Sequence, residues 1–369
     1  MVYAPDPHPL HLADLKTRPL FLQRWEKLKH RQAHWAIQCT SEAIGLFIVC
    51  IASTGSTAGF VLGGINGTTG FGSLFTVGLA FAIGIALSMI VCTATSGGHL
   101  NPAITAYWVV FKGMPVTKGA RYILAQIFGA YIACLIVYIQ WRTPITQTEA
   151  AMKVAGTYDS TMFTPGGPAG IFANYAPPGA HLGLTFINEF VVDFFAGLVI
   201  FAVVDPTNFL VPPSAMPWVI GITYAAAAWS YAPLGLAANS ARDIGGRLAA
   251  MTIWGAKASG GSYAAIAGIT SIPAMLIAAC VYELIFIDSS RVITPAQADF
   301  LAGRRAHVEH CEMRLSQDTI AADDEEKSGE EKRSRPRVFQ DRSCGHNHGE
   351  KGTNAAVFQD RSCGHHHGH

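Results

Sequence analysis

Charge is scarce in the middle of this chain. Its 369 residues include 26 Lys and Arg and 25 Asp and Glu, yet residues 35–287 hold only 16 of these 51. Overall 14% of residues are charged, against roughly 25% in soluble domains. That shortage excludes a water-soluble body for the middle segment, because a fold of that size must cover itself with polar surface. The net charge of +1 leaves no basic surplus for a nucleic-acid partner. A disulfide framework is also missing: Cys39, Cys50, Cys92, Cys134 and Cys280 lie inside apolar runs without secreted-type spacing and read as small hydrophobes. Enzyme signatures are absent too. The Gly-rich stretch 63–70 lacks the Lys of a phosphate loop, and no cofactor motif is found.

What remains is apolar and periodic. Six runs near 37–62, 74–95, 119–140, 184–204, 215–233 and 262–287 approach the ~20 residues that cross a bilayer. Small residues recur in them, such as Gly78, Gly84 and Ala86, which lets membrane helices pack closely. Two further stretches, 104–111 and 244–254, are too short to span. Each follows an Asn: Asn101 within SGGHLNPAIT and Asn239 within GLAANSARDIGGR. They read as re-entrant half-helices, a form tolerated at membrane depth where it lines a cavity.

The pattern repeats. Glu42 precedes Asn101 by 59 residues and Glu189 precedes Asn239 by 50, so each half reads span with Glu, span, Asn-led half-helix, span. Three spans per half invert the second half, so that the half-helices enter from opposite faces. The expected fold is all-α in a membrane: six transmembrane helices plus two re-entrant half-helices in an inverted repeat. Residues 1–34 form an N-terminal segment too charged for a secretory signal. A channel domain follows at 35–287, with halves 35–141 and 184–287 around an extracellular loop 142–183, and then a tail at 288–369. Basic residues Lys16, Arg18, Arg24, Lys27, Lys29, Arg31, Lys112, Lys118 and Arg121 place both termini in the cytoplasm, with the plasma membrane preferred over an internal one.

On these residues the chain resembles the major intrinsic protein family, the aquaporins and aquaglyceroporins, over about residues 35–287. SGGHLNPA matches the family's first signature in full. The second departs from NPARD-x-GPR at Ser240 and Gly246 but keeps Asn239, Ala241, Arg242, Asp243 and Arg247. The resemblance implies a homotetramer with a pore in each protomer. Asn101 and Asn239 cap their half-helices through side-chain oxygens, turning amide N–H groups and the positive ends of two helix dipoles toward a permeating oxygen. Pro102 suits the first helical position, with Ala103 and Ala241 as the small residues behind each cap. Ser240 either adds a donor near the meeting point or is a tolerated small residue.

The resemblance also places an outer constriction at Phe81, Leu236 and Arg242, with a fourth wall within 225–228, taken as Ala227 or Ala228. A His there marks water-specific members, so an Ala favours glycerol and other small neutral solutes, conducted with water while protons and ions are excluded. A water-selective pore is the alternative. Asp243 supports the glycerol branch. Glu42 and Glu189 brace the re-entrant loops, with His99 as scaffolding; a proton relay would need more titratable groups than the spans contain.

The tails fall outside the resemblance. Leu15, Leu20, Phe21, Trp25 and Leu28 suit an amphipathic helix on a membrane surface or a plain linker. Residues 316–337 read as disordered. A twelve-residue unit then occurs twice, at 338–349 and 357–368, offering Cys344, His346 and His348, then Cys363, His365 and His367. Such spacing can hold Zn²⁺, Ni²⁺ or Cu⁺, and a duplicated tract with incidental affinity is the other reading. A membrane scaffold presenting that tail, and a secondary transporter, are the rival functions.

Overall fold

The computed structural model describes residues 11–30, 33–68, 70–307 and 309. Both Cys/His repeats (Cys344, His346, His348, Cys363, His365 and His367) and the charged tract 316–337 lie outside these described residues. Every regular element among them is helical. The short α1 (Leu12–Leu15) and the eleven-residue α2 (Leu20–His30) come first, and α2 buries none of its residues.

The first half contains α3 (His34–Asn66), α4 (Leu74–Ser96), α5 (Pro102–Phe111) and α6 (Val116–Val154). Gly67 ends α3 in a left-handed conformation at φ 63°, and Ser73 caps α4 by accepting from the Thr76 N–H at 3.3 Å. The sequence predicts that the third span ends near 140, with 142–183 as a loop. Instead, α6 continues through Pro144 to Val154. The residues beyond 141 include good helix formers, and Ile145, Thr148 and Met152 repeat at helical spacing on a buried face. Ile145 belongs to the same buried cluster as Val61, Leu62 and Met162, while Asn66 Nδ2 donates to Thr148 Oγ1 at 2.9 Å. The connection that remains carries α7 (Tyr158–Thr161) and a 3₁₀ turn over Pro168–Ile171. Buried Ala169, Ile171, Phe172 and Ala173 make that segment part of the core.

The second half contains α8 (Leu182–Val204), α9 (Met216–Tyr231), α10 (Ser240–Trp254), α11 (Tyr263–Ile269) and α12 (Ser271–Ile285). A further helix, α13, covers 295–307. Among the described residues five stretches are long and apolar enough to cross a membrane: α3, α4, α6, α8 and the pair α11–α12. The fifth expected span, 215–233, is shorter. Pro217 lies in the first turn of the 16-residue α9, and a 3₁₀ turn over Ala232–Leu234 follows it. The last span is interrupted at Thr270, where Pro273 has no N–H to offer the Ile269 carbonyl.

Helix crossings are set by absent side chains. A Cβ on Gly129 of α6 would strike the Ala43 carbonyl of α3, and one on Gly221 of α9 would strike the Ala82 carbonyl of α4. Each half-helix also packs against the last helix of the other half, α5 on α12 and α10 on α6. This exchange brings the two half-helix N-termini together at the centre of the repeat.

Candidate functional site

Asn101 and Asn239 build the junction. Asn101 Oδ1 accepts from the Ala103 N–H at 2.9 Å, and Asn239 Oδ1 accepts from Ala241 and Arg242 at 3.0 and 3.2 Å. Both are side-chain caps that satisfy free N–H groups of the first turn. Their amide nitrogens then cross the junction: Asn101 Nδ2 donates to the Ala238 carbonyl at 3.3 Å, and Asn239 Nδ2 to the Leu100 carbonyl at 2.8 Å. Pro102 and Ala103 are buried in the first turn of α5, and Ala241 in that of α10. Ser240 shares a 2.7 Å hydrogen bond with Ser271.

The residue before each Asn is left-handed: Leu100 at φ 54° and Ala238 at φ 56°. Buried carboxylates hold these turns. Glu42 accepts from Ser96 Oγ at 2.6 Å, the His99 N–H at 3.0 Å, and the Leu100 N–H and Gln126 Nε2 at 2.8 Å each. Glu189 accepts from the Ala237 N–H at 2.8 Å and the Ala238 N–H at 2.7 Å. With these donors the carboxylates are not left bare in a low-dielectric interior, where an unpaired charge is strongly unfavourable. His99 stacks on Trp108 with ring centroids 5.6 Å apart, and its Nδ1 lies 3.2 Å from Thr105 Oγ1. Asp193, one turn beyond Glu189, is fully buried with that carboxylate as its polar neighbour.

A cavity opens on each side of the junction. The first, about 340 Å³, is lined by Asn101 and Asn239, by loop residues 97–100, and by Phe300, Leu301 and Arg304 of α13. The second, about 280 Å³, is lined by Phe81, Ala228, Leu236 and Arg242 together with Gly170, Asn174 and loop residues 235–238. Ala227 is buried and is not part of that lining.

Arg242 is held from two directions. Its guanidinium lies 5.9 Å from the Phe81 ring centroid, and Nη1 donates to the Phe172 carbonyl at 3.1 Å. The same carbonyl occupies the place a Cβ on Gly246 would take, so the glycine that departs from the family pattern admits the acceptor of Arg242. Asp243 and Arg247 secure the same connection. Asp243 Oδ1 accepts from the Asn174 N–H at 3.0 Å, Arg247 Nη2 meets Asp243 Oδ2 at 2.8 Å, and Nη2 also donates to the Asn174 carbonyl at 2.7 Å.

Sequence reasoning missed Ser96, Gln126, Phe172 and Asn174 as partners, and it missed Tyr224 altogether. Of these, Tyr224 alone carried a signal, as the one bulky polar residue in the otherwise small run TYAAAA before the second motif.

Residues 29–259 match the family model described as Major intrinsic protein. Aquaporin-3 of Laccaria bicolor is 47% identical over 317 residues, spanning 85% of this chain and 96% of its own. Aquaglyceroporin-2 of Rhizophagus irregularis is 34% identical over 209 residues, spanning 56% of this chain and 63% of its own. The X-ray structure of the aquaglyceroporin from Plasmodium falciparum matches at a TM-score of 0.58 and 20% identity, covering 68% of this chain and 96% of that one, a likeness of fold alone.

Proposed function

Because the chain belongs to the major intrinsic protein family, whose members are channels and not enzymes, we propose that it conducts glycerol and other small neutral solutes together with water by passive diffusion, and excludes protons and ions. The observation that carries the solute class is the lining of the second cavity. Phe81, Leu236 and Ala228 give three apolar sides and Arg242 the one charged side. A polyol matches that division, with its carbon skeleton toward the apolar sides and its hydroxyls toward the guanidinium. No imidazole narrows the opening where Ala228 stands. The relative named Aquaglyceroporin-2 supports the same class.

Donors and acceptors follow from the loops. With the N–H groups of His99, Leu100, Ala237 and Ala238 turned to Glu42 and Glu189, the carbonyls of the same peptide units, those of Gly98, His99, Leu236 and Ala237, point the other way and are left for solute hydroxyls. Two half-helix N-termini and Arg242 make the centre positive, which opposes cations and a proton wire. The first cavity, bordered by α13, faces the cytoplasm in this reading, both termini are cytoplasmic, and four copies assemble in the plasma membrane. Stopped-flow light scattering on proteoliposomes tests the solute class. A glycerol gradient should give reswelling well above empty liposomes, whereas water flux without glycerol flux assigns the pore to water alone.

A further inference from the structure

The two cavities meet at one residue. Among the described residues one side chain, Tyr224, lines both. It lies on α9 between Ile220 of the first cavity and Ala228 of the second, a spacing of four residues that puts all three on one helix face. The Tyr224 hydroxyl accepts from Asn101 Nδ2 at 3.1 Å. That amide has two protons, and its other acceptor is the Ala238 carbonyl. Asn101 is therefore fully engaged, whereas Asn239 directs one proton to the Leu100 carbonyl and keeps the other. The two asparagines, equivalent in the repeat, are not equivalent as donors.

Resting on the channel reading, we propose that Tyr224 is the specificity-determining residue at the midplane: its ring, rather than the Phe81 and Arg242 constriction, sets the largest solute that passes. Its hydroxyl accepts from Asn101 and offers its own proton onward, so a permeating oxygen meets the Tyr224 O–H and the second N–H of Asn239. The outer constriction then acts as an antechamber. A single water passes the ring edge readily, a three-carbon polyol passes more slowly, and the bulkier four-carbon polyol is held back.

The test uses the full chain in proteoliposomes with water, glycerol and the four-carbon polyol erythritol as probes, comparing wild type, Tyr224→Val and Tyr224→Phe. Tyr224→Val should raise erythritol permeability about tenfold, the lower end of what one carbon's worth of discrimination is worth in a pocket. Tyr224→Phe keeps the ring and should keep the exclusion. Size-exclusion chromatography checks each variant, and Tyr224→Leu replaces Tyr224→Val if the latter does not fold. The proposal is overturned if Tyr224→Val leaves erythritol excluded and the glycerol-to-water ratio unchanged, if Tyr224→Phe admits erythritol equally, or if neither protein conducts any probe. Glycerol flux in wild type alongside such a failure leaves the glycerol reading standing. Glycerol flux in Tyr224→Val but not in wild type sinks the glycerol reading and supports Tyr224 as the barrier.

Discussion

Leu100 and Ala238 hold a backbone conformation at φ 54° and 56° that disfavours a side chain by about 1–2 kcal/mol. Each turn persists because a carboxylate behind it accepts its N–H, and that coupling makes Glu42 and Glu189 structural. Glu42→Gln puts an amide where two of four donors point. With charged hydrogen bonds worth about 1.5–3 kcal/mol each, it should lower stability by about 3 kcal/mol or more, read as a lower midpoint in thermal unfolding followed by size-exclusion chromatography. Arg242 acts on the permeating species instead. A unit charge about 5 Å from a passing cation contributes about 3 kcal/mol at an effective dielectric of about 20. Arg242→Val should therefore raise proton leak by about two orders of magnitude, measured with a pH-sensitive dye in liposomes, while glycerol flux persists.

The half-helices show what sequence could and could not convey. Their caps were legible because a cap is local: Asn101 and Asn239 need only the next two residues to accept from. The bracing role of the glutamates was legible as a need, since a carboxylate at membrane depth demands donors. The identity of those donors was not legible, because Gln126 lies 84 residues from Glu42 and Phe172 lies 70 from Arg242. The same distance hid the reason for Gly246, which at sequence level was a missing proline and in the fold is the gap that admits the Phe172 carbonyl. Gly246→Pro restores the family residue and should harm this protein. Overpacking against backbone destabilises by about 1–3 kcal/mol and displaces the acceptor of Arg242, so a lower unfolding midpoint is expected. A midpoint equal to wild type would show that the connection yields without strain.

At the scale of the whole molecule, the inverted repeat was readable from the Glu-to-Asn spacing in each half, and its boundaries were less so. α6 outran the apolar run that announced it, because its last turns are held by burial of Ile145, Thr148 and Met152. α9 fell short because a proline opens it and a 3₁₀ turn closes it. The asymmetry between halves is the larger lesson. Glu42 has four donors where Glu189 has two, and Asn101 meets a tyrosine hydroxyl where Asn239 meets none among the described residues. The second half also carries a further buried carboxylate, Asp193, beside Glu189. Glu42, Glu189 and the Asp243–Arg247 pair are committed to holding loops, which suits a fixed pore better than a transporter that couples ions. The most direct test is the initial rate of labelled glycerol uptake into proteoliposomes across a wide concentration series, with and without a pH gradient. A channel gives a rate that rises linearly with concentration and ignores the gradient. Saturation, or accumulation of glycerol driven by the gradient, would contradict passive conduction.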